Sequence, residues 1–355
     1  MLNLASDNVV GASRAVLDAL IAANDGAEGA YGSDSFTLKA EAQLAKIFEH
    51  EVTIYLVATG TAANALALAA LSPPWGAIFC HAESHVIDDE CGAPEMFTDG
   101  AKLVGLPGVN GKIQPRDLED AIARYPKGVA KASQPAALSI SQVTEAGTVY
   151  SLNEIAALTK VAKAHGLGVH LDGARFANAL VSLNCTPADM TWKAGVDVVS
   201  FGATKNGALS CEAVIFFDKA HAENFQFRRK RSGHTVSKGR LLGAQMTAYL
   251  DADHWLHNAK HANRMARILR DGLQAINDVR LPWASDANEV FAILPKPVHH
   301  ALAEAGIKAA PWFEKSISLP HGERVKEGEV FWRFVTSFMT REEDIQRVIE
   351  IASKA

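Results

Sequence analysis

The sequence is poor in cysteine, and its cysteines are not spaced to bind a metal or to form a redox pair. Cys80, Cys91, Cys185 and Cys211 stand far apart and include no CxxC pair. This spacing does not match the zinc-ligand patterns or the thioredoxin-like motif. Three of the four stand among apolar or small residues, which favours buried, reduced thiols. We therefore predict no metal site.

Long apolar runs, a targeting signal and an excess of positive charge are missing as well. No run of about 18 apolar residues predicts a membrane span, and the N-terminal residues lack the basic and apolar parts of a signal peptide. The formal net charge of -5 gives no electrostatic footprint for nucleic acid. We expect a soluble cytoplasmic protein that binds a small molecule, with neither nucleic acid nor a membrane as partner.

The sequence does contain enough apolar material for a large α/β fold. Its 355 residues, 48% of them hydrophobic, allow one large domain with a smaller one beside it. Up to about residue 250, short apolar runs alternate with helical patterns, which predicts a largely parallel sheet covered on both faces. The predicted elements are strands at 54–58, 78–81, 102–106, 137–141, 168–172, 196–201 and 214–217, and helices at 61–71 and 152–165.

The last hundred residues have a different pattern. A long helical stretch covers residues 241–276, with a break predicted near Asp253, and strands at 289–294 and 330–336 precede a helix at 341–353. We predict a large domain at residues 1–250 and a smaller α+β domain at 251–355.

Two charged residues follow neighbouring predicted strands. Asp172 ends the apolar run that begins at Gly168, and Lys205 follows the next apolar run in the sequence VVSFGATK. Ligands of open α/β sheets bind at the carboxyl ends of the strands. A lysine there can form a Schiff base, and a carboxylate can keep a pyridine nitrogen protonated. Taken singly, each residue is more often a cap or a solvated charge, so the pair carries the interpretation.

A third feature indicates an anion site. Gly60 and Thr61 follow a predicted strand and begin an Ala-rich helix, where free amides, a hydroxyl group and the helix dipole can hold a phosphate. The same pattern is also that of an ordinary helix N-cap. It is neither a GxGxxG fingerprint nor a P-loop, which disfavours a dinucleotide or ATP.

Over nearly its whole length the sequence resembles the threonine aldolase family of fold-type I pyridoxal-phosphate enzymes. The most specific marker is the HLDGAR segment before a threonine-lysine pair. The full set of markers is residues 5–8 (ASDN), 31–34 (YGSD), 60–64 (GTAAN), His85 with Glu90, 170–175 (HLDGAR), 204–205 (TK), 228–230 (RRK) and 333–336 (RFVT). The resemblance implies a mostly parallel, seven-stranded sheet of the aspartate-aminotransferase type.

The resemblance also implies a role for each matching residue. Lys205 would hold pyridoxal 5'-phosphate as a Schiff base, Asp172 would contact the pyridine nitrogen, and His85 would stack on the ring. Gly60 and Thr61, with Lys230, would hold the phosphate. The residues that would bind the substrate's α-carboxylate are Ser6, Arg175 and Arg333. Tyr31, in an N-terminal segment 1–35 that reaches the active site, would lie near a site shared between the subunits of a homotetramer.

Two departures from the family pattern concern the base and the phosphate site. Family members often carry a second active-site histidine, but no histidine stands between His85 and His165. His85, directly or through water, is the predicted general base. Many family members have a glycine-rich stretch that contains an arginine after the basic run, whereas this chain has SGHTVSKGR at residues 232–240. Lys238 and Arg240 are therefore candidates for binding the phosphate, and His234 is a candidate for lining the substrate entrance.

The predicted function is retro-aldol cleavage of L-β-hydroxy-α-amino acids of the threonine, allo-threonine and phenylserine type to glycine and an aldehyde. A β-eliminating lyase or an aminotransferase on the same scaffold is the alternative. A non-catalytic descendant is disfavoured, because no structural need explains Lys205, Asp172, Arg175 and Arg333 together.

Overall fold

A mixed sheet of seven strands forms the centre of the molecule. The computed structural model describes residues 2–312, 318–320 and 322–355. Within them the strands are β1 (Leu2–Asn3), β2 (Thr53–Val57), β3 (Gly76–His81), β4 (Lys102–Leu106), β5 (Gly108–Val109), β6 (Lys112–Ile113), β7 (Gln134–Ser141), β8 (Gly168–Gly173), β9 (Val198–Gly202), β10 (Glu212–Phe216), β11 (Glu289–Pro295), β12 (Ile307–Lys308), β13 (Ala310–Pro311) and β14 (Glu329–Val335).

Helices cover the sheet and connect its strands. They are α1 (Arg14–Ala23), α2 (Ser35–Phe48), α3 (Gly60–Leu71), α4 (His85–Asp88), α5 (Ala93–Phe97), α6 (Pro115–Ala123), α7 (Leu152–Ala164), α8 (Phe176–Leu183), α9 (Pro187–Met190), α10 (Phe225–Arg231), α11 (Arg240–Leu250), α12 (His254–Gln274), α13 (Lys296–Glu304) and α14 (Glu342–Lys354). No helix of the described residues is long and apolar enough to cross a membrane.

The strand order of the central sheet is β2-β10-β9-β8-β7-β3-β4. β10 runs antiparallel to both of its neighbours, and the pairs from β9 to β4 are parallel. This confirms the predicted α/β class and the mostly parallel seven-stranded sheet. Because β7, β8 and β9 are parallel neighbours, the residues that follow them meet at one edge of the sheet.

Local sequence signals determine where the helices beside this edge begin and end. The hydroxyl oxygen of Thr59 accepts a hydrogen bond from the Ala62 amide, so Thr59 is the N-cap of α3. Ser151 and Glu154 form a reciprocal capping box at the start of α7. Gly166, with a φ of +77°, follows His165, the C-cap of the same helix.

A second, smaller sheet lies in the C-terminal part of the chain. β11, β14 and β13 form it in an antiparallel arrangement, and β1 pairs with β12. The predicted break near Asp253 is confirmed, since α11 ends at Leu250 and α12 begins at His254. The long helix α12 belongs to both cores, with Trp255 packed in the larger cluster and Leu269 in the smaller one. The domain boundary between residues 250 and 251 stays a prediction.

Candidate active site

One cleft, of about 1050 Å³, lies at the carboxyl ends of β7, β8 and β9 and is closed on its other side by β11, β13 and β14. Most of the residues singled out from the sequence line it. These are Ser6, Gly60, Thr61, His85, Asp172, Arg175, Lys205 and Arg333. Residues more than 300 positions apart in the chain thus meet in a single concave site.

Lys205 lies in a 3-10 turn, Thr204–Asn206, directly after β9. Its amine makes no hydrogen bond or ion pair with the residues that the structure describes. Gly202 ends the strand, and a Cβ atom there would collide with the Ala174 carbonyl group. The absence of a side chain at residue 202 therefore lets the loops after β8 and β9 approach each other.

A buried network joins Asp172 to His85. The side-chain amide of Asn64 donates to Asp172 Oδ2 at 2.7 Å and to Glu90 Oε1 at 2.8 Å. His85 Nδ1 lies 2.9 Å from the same Glu90 oxygen. The hydrogen bond to Glu90 raises the pKa of His85 above its ordinary value, although burial opposes this effect. Glu90 therefore fixes a proton on Nδ1 and leaves Nε2 facing away from the pair.

The first turn of α3 leaves two amides without acceptors. The hydroxyl oxygen of Thr59 accepts a hydrogen bond from the Ala62 amide, and its carbonyl oxygen accepts one from the Ala63 amide. The Gly60 and Thr61 amides have no acceptor in the described part of the chain. A Cβ atom on Gly60 would meet nothing within 4 Å, and both Gly60 and Thr61 line the cleft. This is the geometry of an anion site at a helix N-terminus.

The two arginines predicted to bind a carboxylate differ in their surroundings. Arg175 donates to both oxygens of Asp7, at 2.8 and 3.1 Å, and its Nη1 lies 3.2 Å from Glu289. Arg333 donates to the Ala5 carbonyl group at 3.3 Å and lies 3.5 Å from Glu289. Burial would lower the pKa of Arg175, but the two carboxylates outweigh it and raise that pKa; burial lowers the pKa of Arg333.

Arg333 keeps unused hydrogen-bonding capacity. Its Nε is buried without a partner among the described residues, and its guanidinium lies 4.2 Å from the centre of the Trp312 ring. Stacking on an indole holds a guanidinium plane in a fixed orientation. Arg333 is therefore better placed than Arg175 to receive a further carboxylate.

The remaining candidates lie outside the cleft lining. Lys230 and Tyr31 contact each other, with Lys230 Nζ 5.0 Å from the centre of the Tyr31 ring. Arg240 donates to the carbonyl groups of residues 23, 25 and 26, so it closes the end of α1. His234 accepts a hydrogen bond from the Ala58 amide at 3.4 Å and thus lies behind the start of α3. Lys238 is exposed.

Two buried carboxyl groups were missed by the sequence reasoning. Glu145 follows β7, and Glu212 begins β10; both line the cleft. Burial raises the pKa of each to about 7. Glu212 accepts from the Ala203 amide at 2.7 Å and so supports the turn that carries Lys205. The rule that led to Asp172, a polar residue after a parallel strand, would also have indicated Glu145.

Asp7 and Glu289 were also missed as parts of the site. Asp7 stands inside the ASDN marker, but the sequence gives no sign that Arg175 is its partner. Both acids are buried, and each contacts a residue distant in the chain. The signal available in the sequence was an acid in a polar loop, Asp7, and an acid at the start of an apolar strand, Glu289. An acid that becomes buried at such a position rarely lacks a partner.

Comparisons with known proteins identify the family of this chain. A model of the beta-eliminating lyase family matches residues 3–296. The chain is 40% identical over 98% of its length to a low specificity L-threonine aldolase of Pseudomonas aeruginosa, covering 95% of that protein. It is 31% identical over 68% of its length to an alanine racemase of Cochliobolus carbonum, covering 60% of that protein.

The fold agrees with a solved structure as well. A threonine aldolase of Leishmania major superposes with a TM-score of 0.90 at 30% identity, over 100% of this chain and 99% of the other. The chain therefore belongs to the beta-eliminating lyase family, and over its full length it is similar to threonine aldolases.

Proposed function

We propose that this protein is a pyridoxal-phosphate-dependent aldolase that cleaves L-β-hydroxy-α-amino acids to glycine and an aldehyde. The observation that carries the proposal is the meeting of a lysine, a buried aspartate and two arginines in the cleft of a chain that is 40% identical to a low specificity L-threonine aldolase. The named relatives favour threonine-type substrates.

The residues of the cleft fit pyridoxal phosphate. Lys205 offers an amine with no competing partner in the described part of the chain, and Asp172 offers a buried carboxylate held in place by Asn64 and the Ala174 amide. The free amides of Gly60 and Thr61 fit a phosphate, with Lys230 as an expected further cation. When bound, the cofactor supplies a ring that takes up the electron pair of the breaking Cα–Cβ bond.

The chain's own groups position the substrate and move its protons. Arg333, with Ser6 and Arg175, binds the α-carboxylate and thereby turns the Cα–Cβ bond into the orientation in which it breaks. Asp172 would keep the pyridine nitrogen of the cofactor protonated, and His85 would cover the face of its ring. His85 is also the proton acceptor predicted from the sequence. Lys205 would hold the cofactor through its amine between turnovers.

We also propose a cytoplasmic homotetramer in which Tyr31 lies near a neighbouring subunit's site. Several large apolar side chains are exposed. They are Ile21 on α1, Tyr31 between α1 and α2, Leu38 on α2 and Phe227 on α10. Such side chains support an interface between subunits. Sedimentation velocity at several protein concentrations tests the assembly, and a monomer at all of them would contradict it.

Product analysis separates the aldolase from its nearest alternative. The family model is named for β-eliminating lyases, which keeps that reaction as the second candidate. Cofactor-loaded protein is given L-threonine, L-allo-threonine and L-phenylserine in turn. Equal amounts of glycine and the matching aldehyde support the aldolase. Ammonia and a keto acid in place of glycine would establish the lyase instead.

A further inference from the structure

Glu145 lies at the point where the chain leaves β7 and enters the cleft. Its Oε1 atom accepts hydrogen bonds from the His85 amide at 2.7 Å and from the Ser141 hydroxyl group at 2.8 Å. The carboxylate thus caps the N-terminus of α4, the short helix that begins at His85. Glu145 lines the same cleft as Asp172 and Lys205.

The second oxygen of this carboxyl group is unused. Oε2 of Glu145 is buried and has no hydrogen-bond partner in the described part of the chain. A buried carboxyl oxygen without a partner is costly, and such atoms concentrate where a ligand supplies the partner. The terminal torsion of a glutamate is broad and two-fold, so the group can turn an oxygen toward a ligand in the cleft.

The charges around Glu145 make it a proton acceptor near neutral pH. Burial raises its pKa to about 7, and the negative charge of Asp172 acts in the same direction, while the two hydrogen-bond donors oppose it. The other ionisable groups that interact with it are Arg175, Cys80 and Tyr150. A general base is most effective when its pKa lies close to the working pH.

His85 is less suited to accept this proton. Its Nδ1 already shares a proton with Glu90, and that contact raises the pKa of the ring above its ordinary value. The imidazole is therefore protonated over a wider range of pH than a free histidine. A ring that also covers the cofactor face has fewer orientations in which Nε2 can reach the substrate.

We propose that Glu145 is the catalytic residue that takes the proton from the substrate's β-hydroxyl group, a role that rests on the aldolase function proposed above. As the O–H bond breaks, its electron pair forms the second C–O bond of the aldehyde. The Cα–Cβ bond breaks at the same time, and its pair stays with the glycine half. The proton on Glu145 then leaves to water, which returns the carboxylate, and the glycine half takes up its own proton from water.

Glu145→Gln tests this role without removing the contacts of the side chain. The amide oxygen of glutamine can still accept from the His85 amide and the Ser141 hydroxyl group, but it cannot take up a proton. We expect kcat for retro-aldol cleavage to fall about 10²–10⁴-fold while KM and the absorption spectrum of the bound cofactor stay unchanged. A variant within about threefold of wild type in kcat would overturn the proposal.

Exchange of the α-hydrogen of glycine with deuterated water is the companion measurement. This exchange uses the cofactor and the lysine but has no β-hydroxyl proton to remove. We expect Glu145→Gln to exchange glycine at the wild-type rate. If exchange falls as much as cleavage does, Glu145 has a structural role and the proposal is wrong. Glu95→Gln is the matched control, because Glu95 also has a buried, unpartnered oxygen but lies outside the cleft lining.

Ser141→Ala gives an independent test that keeps the carboxyl group. The Ser141 hydrogen bond lowers the pKa of Glu145, so its loss must raise that pKa. We expect the acid-side limb of the pH profile of kcat/KM to move to higher pH, and an unmoved limb would contradict the proposal. This variant decides the matter if Glu145→Gln does not fold.

A readout without turnover is the unfolding of the cofactor-free protein. If the carboxyl group titrates as the structure indicates, the stability difference between wild type and Glu145→Gln changes between pH 4.5 and about 7. A constant difference would overturn the titration on which the proposal depends. A wild-type protein that forms no glycine and aldehyde would instead refute the aldolase function itself.

Discussion

The two sides of the cleft are prepared for ligands in different ways. On the lysine side, formed by Lys205, Asp172, His85, Gly60 and Thr61, the amine and two amides have no partner among the residues that the structure describes. On the arginine side, formed by Ser6, Asp7, Arg175, Glu289 and Arg333, the charges are already paired with one another. The lysine side is open to an anion and a carbonyl group, whereas the arginine side is close to electrically neutral.

This difference shows that residue type alone does not reveal the role of a charged side chain. Arg175 and Arg333 look equivalent in the sequence. Arg175 is saturated by two carboxylates, whereas the Nε of Arg333 has no partner among the described residues. A buried ion pair contributes little net stability, but breaking it leaves an uncompensated charge. We therefore expect Arg175 to act chiefly in the fold and Arg333 chiefly in binding.

The largest expected effect concerns the lysine side. Lys205→Ala removes the only amine that lines the cleft within the described residues, so it should abolish turnover and the absorption band of covalently held cofactor. Spectra and product assays measure both. Lys160→Ala, an exposed lysine on α7, is the control and should behave as wild type. An unchanged spectrum in Lys205→Ala would refute the assignment.

The next effect separates the two arginines. Arg175→Met should lower the free energy of unfolding by about 3–5 kcal/mol, because Asp7 and Glu289 lose their shared partner. Arg333→Met should lower stability less than Arg175→Met does. It should lower kcat/KM about 10–150-fold, because that factor corresponds to the loss of hydrogen bonds to a charged ligand group. Denaturant unfolding and steady-state kinetics on both variants measure this. Equal effects of the two substitutions would remove the distinction.

A smaller effect concerns the pH dependence of stability. The folded-state pKa of Glu145 is about 7 and its ordinary value is 4.5, so the unfolded chain releases this proton first as pH rises. Stability from this group is fully present below pH 4.5 and is lost by about pH 7, amounting to about 3 kcal/mol. Glu145→Gln should abolish this loss, whereas Glu95→Gln should retain it. Unfolding curves of the cofactor-free proteins at both pH values measure the difference.

The smallest expected effect tests the anion site. Thr59→Ala removes the side-chain cap of α3 and should lower stability by about 1 kcal/mol. Because the cap orients the amides of Gly60 and Thr61, the affinity for pyridoxal phosphate should also fall. Thr59→Ser keeps the hydroxyl group and serves as the control. Equal cofactor affinity in all three proteins would argue that the first turn of α3 does not hold the phosphate.

Local patterns predicted the elements that carry the lysine side. The predicted strands at 168–172 and 196–201 correspond to β8 and β9, so Asp172 and Lys205 stand at strand ends, as expected. The helix at 61–71 begins one residue earlier than predicted, because Thr59 rather than Thr61 is the cap. These features depend on neighbours in the sequence, and buried strands and helix caps have recognisable signatures.

Long-range pairings were beyond the reach of local patterns. The pairing of Asp7 with Arg175 joins residues 168 positions apart. Glu289, on β11, reaches Arg333 on the neighbouring strand β14 and also Arg175, which follows a strand of the central sheet. The same limit applies to Asn64. It belongs to the family marker at residues 60–64, but the sequence did not indicate that its side chain bridges Asp172 and Glu90. Such contacts depend on tertiary packing, which no periodicity or spacing encodes.

Chemical mapping of the cofactor attachment tests the central claim most directly. The protein is loaded with pyridoxal phosphate, reduced with borohydride to fix the cofactor to the amine that holds it, digested, and analysed by mass spectrometry. We expect modification of Lys205 at close to one cofactor per chain. Modification of another lysine, such as Lys230, or none above the level of free surface lysines, would contradict it.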